Sequence, residues 1–425
     1  MISDSLTNIR KILRPLNLVV MLVLAILEFI LNPRQILITT LFNKDKMGNL
    51  WANVFDGTIF AARGGELIHG HLNLVYLHRN TNQIGPAQVA FWGALNFLSR
   101  HLGNWFLSFT QIALYFIFLV FALSVTYHLS RVPFTVSGKS LEDLISNPET
   151  GKPKFIYLAR KYLALIIVTL FFLLGTPDIF YKSGHWFQVI VIGLWWWAGS
   201  IAHKHPILAG TLIGVSLWYE PWGILGGLLL LVATSWRQRF ISGTVAIIVG
   251  VSAWIPFLLQ PIFDLPNYKW KVMPGSIWAY LGIKELSWGD RLMQSVTIII
   301  VAIAFIYFSR KYHSSVWIAW ALCILILLTR FATDAFSEPY YWIPLELLLL
   351  PGALVLFFVN WKRAVILLFS FWLTTLTVFN LPTFGLASSV LLLFPLALLA
   401  PARYLNLKGN LKRSQSVKLH NAQDL

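Results

Sequence analysis

Charge is the scarcest property of this 425-residue chain: Asp, Glu, Lys and Arg together make up 12% of it, where an ordinary soluble domain carries roughly a quarter. With 57% hydrophobic residues and a mean hydropathy of +0.69, that scarcity excludes a water-soluble globular protein. It also excludes a disordered chain, which needs low hydrophobicity and high charge. Cysteine is nearly absent. Cys323 stands alone within an apolar run, so an intrachain disulfide and cysteine-based zinc or iron–sulfur clusters are excluded. Acidic residues are few as well, 17 against 33 basic ones, for a formal net charge of +16. There is no P-loop, dinucleotide fingerprint or HExxH sequence, and no internal repeat of the kind that builds two-fold transporters.

What the chain has in abundance is long apolar runs. The first, Leu16–Leu31, follows Arg10, Lys11 and Arg14 and is trailed by Pro33 with no small-residue cleavage site. It reads as a retained membrane helix rather than a signal peptide. Further runs cover about 105–127, 160–175, 186–201, 207–218, 221–235, 241–259, 292–309, 314–330, 340–359, 363–380 and 385–402. A spanning helix needs roughly 20 residues, so 207–218 and 221–235 are short. They form either a hairpin turning at Tyr219-Glu220-Pro221 or one kinked helix.

Charge placement chooses between these. With the amino terminus inside and the short pair counted as two passes, 21 of the 33 Lys and Arg residues fall on one side, and the short loops there hold no Asp or Glu. This is the positive-inside pattern, and it explains the net charge without nucleic acid. The expected architecture is an all-α polytopic membrane bundle of about 12 passes, one domain over 1–402. Both termini are cytoplasmic, 129–159 is a cytoplasmic connector, and 403–425 is a basic tail lying against anionic head groups. The large extracytoplasmic loop 33–104 should hold interfacial helices. Ten of the seventeen acidic residues fall on the outer side if Glu220 is included, which points to chemistry or binding at that interface.

Within the first outer loop, Asn49–Gly65 reads as a helix with Asp56, Phe60 and Arg63 on one face and the Gly64-Gly65 pair as its end. Asp56 is either a functional carboxylate or a solvated loop residue or cap. His69, His71 and His78 lack metal-ligand spacing and read as polar loop residues, so no metal site is expected. Glu220, among Trp218, Tyr219 and Trp222, is either a sugar-hydroxyl acceptor under an aromatic wall or a carboxylate bonded to a neighbouring helix end. Glu28 should snorkel and Glu346 should bond between helices. Most of the 19 tryptophans are expected in interfacial belts.

The segment Asp56-x-x-x-Phe60-Ala-Ala, with Gly70 and Gly85-Pro86 beyond it, resembles the first outer loop of GT-C class membrane glycosyltransferases. The likeness is to the polyprenyl-phosphomannose-dependent mannosyltransferases of bacterial envelopes. Gly184-His185-Trp-Phe-Gln188, Ala209-Gly210-Thr-Leu-Ile-Gly214 and Trp342-Ile-Pro-Leu-Glu follow in the family's order. The resemblance implies transfer of a hexose, mannose by analogy, from a polyprenyl-phosphate sugar to a hydroxyl of an envelope glycolipid or glycan. It implies no cofactor, membrane lipids as partners, and a site with Asp56 as base and Arg63, His185, Gln188, Glu220, Arg330, Glu338 and Tyr340 as substrate contacts. Phosphate is a good leaving group, so one carboxylate base suffices where glycoside hydrolysis needs two. Where the family usually has a Lys, this chain has Glu220; where it tends to have a His before the late helix, Ser337–Tyr341 stands. Arg63, Lys182, Lys269, Lys271 and Arg330 are the candidate replacements for phosphate contact. A transporter or flippase, and a non-catalytic membrane protein of the same architecture, are the competing readings.

Overall fold

The computed structural model describes residues 14–31, 57–77, 84–131, 185–267, 269–272, 274, 276–309 and 315–335, with single positions between 344 and 369. It is mostly helical. The longer helices are α1 (Pro15–Leu31), α2 (Gly57–Ile68), α3 (Pro86–Leu102), α4 (Asn104–Arg131), α5 (Gln188–Ile201), α6 (Pro206–Tyr219), α7 (Trp236–Ser252), α8 (Trp288–Ser309) and α9 (Ser315–Ala332). A 3-10 helix, Pro221–Val232, joins α6 to α7. The 260–291 region adds a short antiparallel ladder in which Trp270 faces Leu286 and Lys271 faces Glu285. A two-residue ladder of this size leaves the fold in the all-α class.

Local signals fix the helix ends. Pro86 and Pro206 occupy first turns, where their missing N–H costs nothing. Ser235 and Gln238 form a reciprocal capping box that starts α7. The chain breaks at Glu220 because the following Pro221 disfavours the helical region for the residue before it, and Glu220 is extended at φ −139°, ψ 131°. After the break the chain turns back and packs on α6. This is the hairpin, not the single kinked helix. In the 3-10 segment side chains three apart eclipse one another, and Gly223, Gly226, Leu229 and Val232 form its buried stripe. The indole of Trp195 from α5 lies against that stripe and donates to Gly223 O at 3.1 Å and Ser216 Oγ at 3.3 Å.

Two of the helices described are long and apolar enough to cross a membrane, α8 and α9. At 1.5 Å per residue, the 22 residues of α8 reach about 33 Å, and the hydrocarbon core is roughly 30 Å thick. The two differ in their surroundings. α9 is central, with Ile318–Ile324 buried throughout. α8 buries only one stripe, through Gln294, Ile298, Ala302 and Ile306, and exposes Leu292, Met293, Ile300, Tyr307 and Phe308. An apolar face this large suits a lipid neighbour rather than water. Tryptophan is less of a belt than the sequence suggested: Trp92, Trp186, Trp195, Trp196 and Trp320 are buried in the core.

Contacts define two ends of the bundle. At one end the α6–3-10 break meets Gly85, whose N–H donates to Tyr219 O at 2.7 Å, and Trp254, whose indole donates to Leu217 O. At the other, Gln238 Nε2 donates to His203 O at 2.6 Å. The loop 33–104 does hold helices, α2, α3 and the single turn Leu72–Val75. One expectation needs correction: α2 does not stop at Gly64-Gly65. It continues to Ile68, and the chain leaves it through Gly70 at φ 79°. Gly64 is required for another reason. A Cβ there would overlap the Gly93 amide, and one on Gly93 would overlap the Gly64 carbonyl, so the two glycines set the close crossing of α2 and α3.

Gly93→Ala should therefore destabilise the protein by about 1–3 kcal/mol, because backbone on both sides cannot yield. Gly65→Ala, whose Cβ meets nothing within 4 Å, should be neutral or stabilising by about 0.5–1 kcal/mol through helix propensity. Thermal melting followed by circular dichroism in detergent checks the contrast; equal melting of the two variants would contradict the crossing.

Candidate functional site

The extended backbone at residue 220 turns the Glu220 side chain out of its own helix and into a buried cluster at the start of α5. Glu220 is 2% exposed, and its Oε1 lies 3.3 Å from His185 Nδ1. His185 precedes α5 and is itself buried, with Phe60 of α2 edge-on to its ring at 5.1 Å. Phe187 and Tyr219 stack at 4.9 Å with an interplanar angle of 10°, forming a flat wall beside the two polar groups. Trp92 and Trp186 extend the aromatic lining at 4.6 Å from each other. An ionised carboxylate in such surroundings needs a charged or hydrogen-bonded partner, and the imidazole provides one.

Tyr76 lies near the same cluster, within the influence of the Glu220 charge. Its hydroxyl donates to Ile84 O at 3.0 Å. Burial first, and the Glu220 charge second, push its phenol well above the ordinary tyrosine range. Arg63 on α2 is also buried and donates from Nη1 to Leu74 O, tying α2 to the turn that carries Tyr76. Its burial lowers the guanidinium from its usual value, and Glu66 opposes that shift. Gln188 is buried at the first turn of α5. His71 and Glu66 form an exposed contact of 2.9 Å, and among the described residues no group of three His, Cys, Asp or Glu could hold a metal ion.

A second polar cluster lies across the break. Arg330, near the end of α9, stacks its guanidinium on Trp222 at 4.5 Å, and Trp222 meets Trp195 edge-on at 5.1 Å. Arg291, near the start of α8, stacks on Trp270 at 4.4 Å. Asp334 accepts from Arg291 Nη1 at 2.6 Å and lies 3.7 Å from Arg330 Nε. A cleft of about 140 Å³ opens beside the two arginines.

No family model, curated protein or solved structure matches the chain.

The residues singled out from sequence thus separate. His185 and Glu220 meet directly, Gln188 sits one turn beyond His185, and Arg63 lies on α2, the helix whose Phe60 packs on His185. Arg330 belongs to the cleft on the far side of the break. Asp56, which precedes α2, and Glu338 and Tyr340 lie outside the described residues, as do Glu346 and the side chain of Glu28. Sequence reasoning missed Tyr76, Arg291 and the Asp334 carboxylate as site groups. A signal existed for the last two: a lone Arg at each end of two long apolar helices, with Asp334 four residues after Arg330, the spacing of helical ion pairs.

Tyr76 yields a test. The folded protein keeps its phenolic proton at pH values where the unfolded chain, with a phenol near 10, releases it. The stability from this group is full below about pH 10 and is lost as the pH rises towards the raised folded value. Tyr76→Phe should lower stability near neutrality by about 0.5–1.5 kcal/mol through the lost hydrogen bond and should flatten the alkaline decline. Glu220→Gln should flatten it less, since the Glu220 charge is the smaller cause. Melting temperatures from pH 8 to 11 read this out; identical alkaline slopes in wild type and Tyr76→Phe would refute the assignment.

Proposed function

We propose that the chain is a polytopic membrane glycosyltransferase of the GT-C kind, crossing the membrane about twelve times with both termini in the cytoplasm. It would move a hexose from a polyprenyl-phosphate sugar to a hydroxyl of an envelope glycolipid or glycan at the outer face. The observation that carries this reading is the buried polar and aromatic cluster at the helix break. A buried carboxylate–imidazole pair stands beside stacked aromatic rings, a combination that offers hydrogen bonds and flat apolar faces to a sugar. The ends of α5, α6, α8 and α9 that charge placement assigns to the outside are also the ends that gather around the break, and Gln238 and His203 meet at the other end. That agreement supports the alternation of passes.

In this mechanism the acceptor hydroxyl attacks the anomeric carbon of the donor. The carbon–oxygen bond to phosphate breaks, polyprenyl phosphate departs, and Asp56 takes the hydroxyl proton. Glu220 and His185 orient the sugar hydroxyls, and cations stabilise the charge that grows on the leaving phosphate.

Asp56→Asn keeps the shape of the side chain and cannot take a proton. General-base catalysis is worth about 10²–10⁴-fold, so transfer in a membrane preparation supplied with polyprenyl-phosphate sugars should fall by that factor while donor binding persists. Asp45→Asn and Glu66→Gln, outer carboxylates without the motif, should stay near wild type. Near-wild-type turnover by Asp56→Asn would place the base elsewhere. The topology is tested separately in a Cys323→Ser background: an impermeant thiol reagent on intact cells should label Asn82→Cys and leave Ile145→Cys untouched. The reverse pattern would invert every pass.

A further inference from the structure

At the end of the bundle away from the break, α6 and α7 start side by side and run parallel. A Cβ on Gly210 would overlap Ser242, and one on Gly214, a turn later, would overlap Ala246 and Val249. Gln238 Nε2, donating to His203 O, holds the start of α7 against the residues that lead into α6. Ser242, Ala246 and Gly250 make up the buried face of α7. The opposite face is bare. Trp236, Phe240, Ile247, Ile248 and Val251 fall within an arc of about 120°, and all five are exposed, Trp236 at 75% and Phe240 at 66%.

Positive charge gathers where this stripe begins. Arg237 lies on the same arc and is exposed, and the exposed Lys204 stands next to His203. Arg239 turns the other way and donates to Ala233 O at 2.9 Å. The first turns of α6 and α7 hold no acidic residue, and among the described residues neither Lys204 nor Arg237 is in an ion pair. Cations at the positive end of a helix dipole add to its potential instead of cancelling it. The Trp236 and Arg237 N–H groups precede the first intrahelical bond, from Arg239 N–H to Ser235 O at 3.3 Å, so the helix offers donors there as well. His203 senses this field: burial first, then Lys204 and His205, hold its imidazole below the ordinary value.

An anion answers the charge, and the stripe asks for more than an anion. From Phe240 to Val251 it runs about 16 Å at 1.5 Å per residue, close to half of a hydrocarbon core of roughly 30 Å. That is the depth filled by the acyl chains of one leaflet, and a tryptophan at its rim belongs at head-group level. The chain's own acidic segment, with Glu142, Asp143 and Glu149, would meet the charge and leave the stripe bare. We propose that this face of α7 binds one anionic phospholipid, with its phosphate at Arg237 and Lys204 and an acyl chain along Phe240, Ile247, Ile248 and Val251. The proposal requires the chain to lie in a membrane and requires no transfer chemistry.

The test uses the full-length chain in neutral detergent, with native mass spectrometry to count bound lipid. Phosphatidylglycerol carrying a photoreactive group in its acyl chain reports where it lies. The other probes are phosphatidylcholine with the same chains and inorganic phosphate. Each Lys or Arg near a head group is worth about fivefold in binding, so the two together should favour phosphatidylglycerol over phosphatidylcholine by about tenfold or more. Cross-links should fall on α7 between residues 240 and 251. Arg237→Gln and Lys204→Gln should each weaken phosphatidylglycerol binding by about fivefold, whereas Arg237→Lys and Lys204→Arg should change it little. Phe240→Ala should weaken both lipids alike. Lys284→Gln, an exposed cation of the 260–291 region, should change nothing.

Equal binding of the two lipids would make this face an ordinary lipid contact, and inorganic phosphate displacing phosphatidylglycerol at equal concentration would make it a free-anion site. The triple variant Glu142→Gln, Asp143→Asn, Glu149→Gln should bind phosphatidylglycerol as the wild type does; a gain of about tenfold would make the acidic segment the occupant. Each of these results overturns the proposal. So do cross-links confined to other helices, and binding indifferent to both Gln variants. Asp56→Asn should leave every binding figure unchanged, so a failed transferase reading and a failed lipid site are told apart.

Discussion

The indole N–H of Trp195 bridges Ser216 Oγ on α6 and Gly223 O on the 3-10 segment, and both polar sites hang from the backbone break that it spans. Pro221 forces the break by denying Glu220 a helical conformation. The turn is then closed from the side by a fully buried ring. Gly223 and Gly226 are needed because any Cβ on Gly226 would overlap that ring, and one on Gly223 would overlap Ser216. A 3-10 helix of twelve residues is unusual, since its hydrogen bonds are poorer than those of an α-helix. Here its eclipsed stripe matches the wall made by α5.

The break then deals its residues to opposite sides. Glu220 goes to the buried cluster with His185 and Tyr76, and Trp222, two residues on, goes to the cleft and receives Arg330. The two sites are therefore separated by a few backbone atoms and share no polar side chain in the contacts described. Each also holds a buried carboxylate bonded to a group on another segment, Glu220 to His185 and Asp334 to Arg291, which ties α5 to α6 and α8 to α9 at one end. Removing one member of a buried ion pair such as Arg291–Asp334 typically costs about 3–5 kcal/mol. The guanidinium–indole stacks, worth roughly 0.5–2 kcal/mol each, fix the arginines without consuming their hydrogen-bond donors.

The glycines show how close approach differs from chain reversal. Gly64 and Gly93 bring α2 against α3, while Gly210 and Gly214 let α6 lie directly on Ser242 and Val249 of α7. The second of these crossings falls on the Ala209-Gly210…Gly214 segment. The first looked like a helix terminator, because a Gly-Gly pair serves either purpose and the choice is made by whatever packs against it.

The amino-acid sequence by itself determined the helical class, the presence of helices within residues 33–104, the helix opening at Gln188 and the break at Glu220–Pro221. Each of these rests on local chemistry: apolar runs, proline at first turns, and the restriction proline places on its predecessor. It also marked Glu220, an ionisable group amid apolar residues that must find a partner, while His185 and Arg330 were marked only by the resemblance. Only the tertiary structure decided which partners. Glu220 finds an imidazole 35 residues away, Arg291 finds Asp334 at a separation of 43, and Tyr76 comes within reach of Glu220 from a turn with no motif at all. Such pairings are set by the packing of helices whose order along the chain says little about adjacency, and no local pattern encodes them.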